Sequence, residues 1–171
     1  TNNQINKYSS AGVFIQKFSD MQYGEIYSVD ATDPNKIIVF FRDFGNLLIL
    51  DNTLSQNGPV FNLRFNQFDQ PVVACRSFNN GFWIFDVLPN ELHRLDRNFM
   101  VLHKTGNLTQ IIGIEVRPNF AREHNNLLYL NNDGKGMLVF DQYGTFLKRI
   151  AIKTPFSFQV KDKHIYFPLE D

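Results

Sequence analysis

The 171-residue sequence predicts an all-β fold, a β-propeller whose four-stranded blades repeat about every 45 residues. Three observations carry this prediction. An apolar run closed by an aspartate recurs at Leu47–Asp51, Leu92–Asp96 and Met137–Asp141, so Asp51, Asp96 and Asp141 are spaced by 45 residues. A second apolar and aromatic run keeps the same offset: Lys36–Phe41, Gly81–Asp86 and Asn126–Asn131. Aromatic residues make up 15% of the chain, 18 of them Phe, a usage that suits strands better than helices.

Taken in chain order, Lys7–Phe18 reads as the third and fourth strands of a preceding blade, giving a half-blade over 1–22. Full blades follow over 23–67, 68–112 and 113–153. In each, an asparagine before the second strand (Asn35-Lys36, Asn80-Gly81, Asn125-Asn126) supplies the left-handed backbone that a tight hairpin needs. Arg42–Gly45, Val87–Asn90 and Asn132–Lys135 form the next turn. The fourth strands are Val60–Arg64, Met100–Lys104 and Phe146–Ile150. Phe156–Val160 and His164–Leu169 then read as the first and second strands of a half-blade over 154–171. The two half-blades would together make one blade, so the count fits either a closed four-bladed ring or a piece of a larger ring; the abrupt start and stop of the chain favour the piece. A β-sandwich also gives short, evenly spaced strands, but it does not require Asp and Asn to recur at one fixed interval. The sole stretch with helix-like spacing is Leu108–Ile114, which contains Gly113 and precedes Pro118.

Within Met137–Ile150, an apolar strand, Phe140-Asp141, the turn glycine Gly144 and a Phe146/Leu147-bearing outer strand follow one another. This order resembles the repeat of NHL-type propellers. The other two blades lack the turn glycine, having Asp51-Asn52-Thr53-Leu54 and Asp96-Arg97-Asn98-Phe99. More broadly the chain resembles bacterial secreted or envelope-associated propellers, and that resemblance implies a binding scaffold located in the periplasm, at the outer membrane or outside the cell.

Seventeen basic and seventeen acidic residues cancel and form no run, which argues against a nucleic-acid partner. Apolar runs such as Leu47–Leu50 and Phe82–Phe85 are far too short to cross a bilayer, so no membrane-spanning segment is expected. The single cysteine, Cys75, sits in a strand pattern and reads as a small buried hydrophobe.

Signatures of chemistry are weak. His93, His103, His124 and His164 fall on four separate segments without zinc-ligand spacing. His93 and His103 share one hairpin, where an exposed pair is expected. Asn131–Gly134 has the texture of a calcium loop, but Tyr129 and Phe140 stand where that loop needs carboxylates. Gly134-Lys135-Gly136 is a hairpin turn and leads into no phosphate-cradling helix. Asn107-Leu108-Thr109 matches the glycosylation acceptor pattern at chance level. Asp51, Asp96 and Asp141 are read as equivalent turn residues that bond backbone N–H groups. No metal, cofactor or catalytic set is expected. First strands line a propeller's channel, so Asp30, Arg76, Glu115 and Arg117 are the ligand-binding candidates. Phe18, Phe40, Phe41, Phe85 and Phe140 are expected to pack between blades, leaving Phe44, Phe78 and Phe120 as candidates for gripping a partner. The function expected is a non-catalytic scaffold for another protein. The alternatives are a propeller enzyme of the lactonase, lyase or hydrolase kind, or a binder of a small ligand or carbohydrate at the channel mouth.

Overall fold

The computed structural model describes residues 3–153 and 157–168. Two compact units divide the chain, residues 1–68 and residues 69–171. In the first, the hairpin β1 (Ile5–Tyr8) and β2 (Phe14–Phe18) precedes a 3-10 turn at Met21–Tyr23. A four-stranded antiparallel sheet follows: β3 (Ser28–Asp30), β4 (Ile37–Phe41), β5 (Asn46–Leu50) and β6 (Phe61–Asn62). In the second, β7 (Pro71–Arg76), β8 (Phe82–Asp86), β9 (Glu91–Leu95) and β10 (Val101–Lys104) form one four-stranded sheet. After the short helix α1 (Leu108–Ile112), β11 (Pro118–His124), β12 (Leu127–Asn132), β13 (Gly136–Phe140) and β14 (Phe146–Ile150) form another. The hairpin β15 (Gln159–Lys161) and β16 (His164–Tyr166) completes the unit. In this unit the first strands are neighbours, β7 beside β11 and β11 beside β15, which is how successive propeller blades pack around an axis.

The repeated aspartates fix the turn between third and fourth strands in the same way each time. One Asp51 carboxylate oxygen accepts from the backbone N–H groups of Thr53 and Ser55, that of Asp96 from Asn98 and Met100, and that of Asp141 from Tyr143 and Thr145. Ser9 plays this part between β1 and β2, where its hydroxyl accepts from Val13 N–H and Gly12 N–H bonds its carbonyl. That partly shared turn is in keeping with β1 and β2 as third and fourth strands of a blade. The residue three after each anchor adopts the left-handed conformation: Gly12 (φ 78°), Leu54 (φ 51°), Phe99 (φ 64°) and Gly144 (φ 86°). A side chain there costs on the order of 1 kcal/mol. Packing offsets it, because Leu54 is buried in its unit's core and the Phe99 ring stacks on Phe82 at 4.5 Å.

Other expectations need correction. The first connection, residues 31–36, is an open loop and Asn35 takes no positive φ. Asp30 accepts from Thr32 N–H, and Asp33 from Asn35 N–H, so two aspartate turns replace the tight hairpin. In the second blade the hairpin residues are Asn79 (φ 55°) and Asn80 (φ 62°). Gly81 follows them for a different reason, since a Cβ there would lie 2.3 Å from the Leu95 carbonyl oxygen. Asn125 (φ 49°) and Asn126 (φ 60°) do form the expected tight turn. The fourth strand of the first blade shrinks to Phe61–Asn62 because the chain turns at Leu63, whose carbonyl accepts from Asn66 and Phe68. β15 begins at Gln159 rather than near Phe156, which lies outside the described residues, as does Leu169. His93 and His103 do not face each other, because the β9–β10 register sets Lys104 opposite His93 and Arg94 opposite His103.

Alternation on the strands builds each core. In the second unit Val73, Cys75, Trp83 and Phe85 meet Ala121, Leu128, Leu130, Leu138 and Phe140, all buried, across the space between two sheets. In the first, Ile37, Val39, Phe41, Leu48 and Leu50 pack with Ile5 and Phe18 of the leading hairpin. Cys75 is buried and forms no disulfide, and Phe40, Phe41, Phe85 and Phe140 are fully buried as the repeat register implies.

Candidate functional site

Antiparallel order brings the start of a first strand, the turn between second and third strands and the exit of the fourth strand to one end of each sheet. At this leading end, a buried or half-buried asparagine organises the loops of two of the sheets.

In the second unit the asparagine is Asn132, which is 0% exposed. Its Oδ1 accepts from Arg117 N–H at 2.7 Å and its Nδ2 donates to the Glu115 carbonyl at 2.9 Å. Asn90 holds the preceding stretch: its Nδ2 donates to the Val116 carbonyl, and its Oδ1 accepts from the N–H and hydroxyl of Thr109. With the backbone fixed on both sides, the Glu115 carboxylate takes Arg117 at 2.5 Å and Lys135 Nζ at 2.5 Å. The Lys135 ammonium bond, followed by the charge of Arg117, holds the Glu115 carboxyl below its ordinary pKa of 4.5.

In the first unit the asparagine is Asn62. Its Nδ2 donates to the Phe44 carbonyl at 3.0 Å and to Asn46 Oδ1 at 2.8 Å, and its Oδ1 accepts from Phe65 N–H at 3.0 Å. Phe44, in the β4–β5 turn, lays its ring on Gly24, where any Cβ would come within 2.7 Å of that ring. Gly24 in turn bonds the carbonyl of Met21. The outcome is a polar lattice that holds three apolar side chains outward: Phe44 (56% exposed), Phe65 (90%) and Met21 (68%).

A third cluster is buried between two blades. Glu123, on β11, accepts from Ser77 Oγ (2.8 Å), Phe78 N–H (2.9 Å) and Trp83 Nε1 (2.5 Å). Arg94 donates to Ser77 Oγ and to the Gln142 carbonyl, and its guanidinium lies 3.8 Å from the Phe78 ring centroid. Desolvation pulls the Arg94 pKa down, against the opposing attraction of Glu123. These groups satisfy one another, which makes the cluster a clamp joining two sheets.

The predicted residues therefore separate. Glu115 and Arg117 come together in the loop that leads into β11 rather than on the first strand expected for them, because that strand begins only at Pro118. Arg76 closes β7 at the opposite, hairpin end, and Asp30 is buried in its own aspartate turn. Of the aromatic candidates Phe44 is exposed, whereas Phe78 lies half-buried under Arg94 and Phe120 packs edge-on against the buried Phe158 at 5.2 Å. Sequence reasoning missed Lys135, Phe65, Glu123 and Arg94. The signal for the clamp was present, since a buried indole N–H needs an acceptor and Trp83 sits on a fully buried strand. Asn107 caps α1 through Gln110 N–H and donates to the Pro89 carbonyl, so its amide is committed to the fold.

No protein-family model and no curated protein sequence matches the chain. Among solved structures it is similar to a streptogramin B lyase at 12% identity, with a TM-score of 0.62 over 85% of this chain and 47% of that one. It is similar to virginiamycin B lyase from Staphylococcus aureus at 11% identity, with a TM-score of 0.60 over 88% and 50%. Hsv2 from Kluyveromyces lactis aligns at 10% identity, with a TM-score of 0.57 over 82% and 40%. This chain thus spans half or less of the length of each. The neighbours are β-propeller proteins, one kind an enzyme and the other not, and at such identities the likeness speaks to fold alone. The four-stranded sheets and the propeller neighbours lead to one conclusion, that this chain is an all-β stretch of β-propeller blades.

Proposed function

We propose that this stretch of propeller is a non-catalytic scaffold that holds another protein through the loop end of its blades, in the bacterial cell envelope. The observation that supports the reading is the apolar trio Met21, Phe44 and Phe65, held outward by Asn62, Gly24 and their hydrogen bonds. Exposed apolar side chains on ordered loops suit a protein interface, because a partner can bury them without first ordering the loops. An enzymatic reading would draw on inner-strand polar groups, yet Glu123, the inner-strand carboxylate of β11, is committed to Ser77, Phe78 and Trp83.

Phe65→Asp tests the proposal with little effect on folding, since the side chain is nearly fully exposed. Affinity capture from envelope extracts is compared for wild type and variant, with thermal unfolding as the control. The proposal expects at least one protein to be recovered with the wild type and lost with Phe65→Asp at unchanged Tm. An identical set of captured proteins would contradict it.

A further inference from the structure

We infer that the leading end of the β11–β14 sheet is a binding site for a small organic dianion, two carboxylates joined by a short apolar body. A groove of about 510 Å³ opens there, lined by Ile114, Glu115, Lys135, Arg149, Ala151 and Lys153, and its volume falls in the range of small-molecule sites.

The fold brings these cations together for a definable reason. A Cβ at Gly136 would lie 2.6 Å from the Ile150 carbonyl oxygen, so glycine at that position lets β14 leave the sheet directly beside the β12–β13 turn. Arg149 and Lys153, from the exit of β14, thereby share a groove with Lys135. Asn132 fixes the backbone of Glu115 and Arg117 on the other side. Lys135, Arg149 and Lys153 line the groove with the single carboxylate of Glu115, and Arg117 reaches that carboxylate from beside it. That carboxylate already bridges Arg117 and Lys135 at 2.5 Å each, which shows that the pair accommodates a carboxylate. Among the described residues Arg149 and Lys153 have no anion partner of their own. Ile114 and Ala151 line the same groove and suit a short hydrocarbon spacer. One ligand carboxylate takes Arg149 and Lys153, and the other competes with Glu115 for Lys135 and Arg117.

Succinate is the probe, with propionate as the single-charge control, followed by amide chemical shifts of the intact chain at low salt. The inference expects saturable shifts confined to 114–117, 134–136 and 149–153. Arg149→Ala with Lys153→Ala weakens binding about tenfold or more, because charge-assisted contacts are lost. Glu115→Gln strengthens it, because the internal competitor is gone. Propionate binds much more weakly, and added salt weakens every response. Non-saturating shifts, equal responses to succinate and propionate, or indifference to the double variant would overturn the site and leave an ordinary screened surface. Phe65→Asp is expected to leave succinate binding unchanged, which separates this site from the protein-binding reading.

Discussion

The leading ends of the β3–β6 and β11–β14 sheets are built on the same plan and display opposite chemistry. In each, one asparagine accepts a backbone N–H and donates to a backbone carbonyl, and so joins a loop to a turn of its own sheet. Asn62 holds out Phe44 and Phe65, whereas Asn132 holds out Glu115 and Arg117. The sheet supplies rigid ends, and a few loop residues decide whether an end is apolar or charged. The β7–β10 sheet shows a third version, in which the Asp86 carboxylate accepts from Asp69 and Gln70 N–H at 2.8 Å each.

Removing the asparagines tests this plan most strongly. Asn132→Leu should destabilise the chain by about 2 kcal/mol, because it takes the side-chain partner from a part-buried N–H and a part-buried carbonyl. Asn62→Ala should cost less, about 1 kcal/mol, because Asn62 is only half-buried and water can replace it. Urea unfolding of both variants checks the order, and equal losses would break the comparison. A smaller effect concerns His93, whose burial on β9 pushes its pKa below the ordinary 6.5 despite the attraction of Glu91 and Asp86. The unfolded chain then binds a proton that the folded chain refuses, so stability should fall as pH drops below about 6.5. His93→Asn should remove that portion of the pH dependence, read from urea midpoints at about pH 7.5 and about pH 5.5. The smallest effect is expected at the apolar end, where Phe65→Ser should change stability by no more than about 0.5 kcal/mol. A large loss there would mean that Phe65 serves the fold and not an interface.

What could be read from the sequence was whatever is local. Asp51, Asp96 and Asp141 each bond N–H groups two and four residues onward, so the same turn leaves the same mark every 45 residues. Asn125-Asn126 was legible for the same reason, and Asn35 misled because Pro34 and two aspartates build a different loop around it. Glu115 and Arg117 could be named as polar residues close to a first strand, although the strand itself begins at Pro118 and leaves both in the loop before it. Their partner Lys135 could not, since it comes from a turn 20 residues away that only the folded sheet brings beside Glu115. Nor does composition say which phenylalanine after β6 faces outward. Phe68 is buried and Phe65 exposed because the chain turns at Leu63, a tertiary choice.

Native-state hydrogen exchange tests the central claim most directly, by following the amides of Phe65 and Arg117, whose acceptors are the side chains of Asn62 and Asn132. Both amides should be protected in the wild type. Asn62→Ala should release Phe65 alone and Asn132→Ala should release Arg117 alone, with the strand amides unchanged. Unprotected exchange of both amides in the wild type would contradict the account, because the loop ends would then not be ordered by these asparagines.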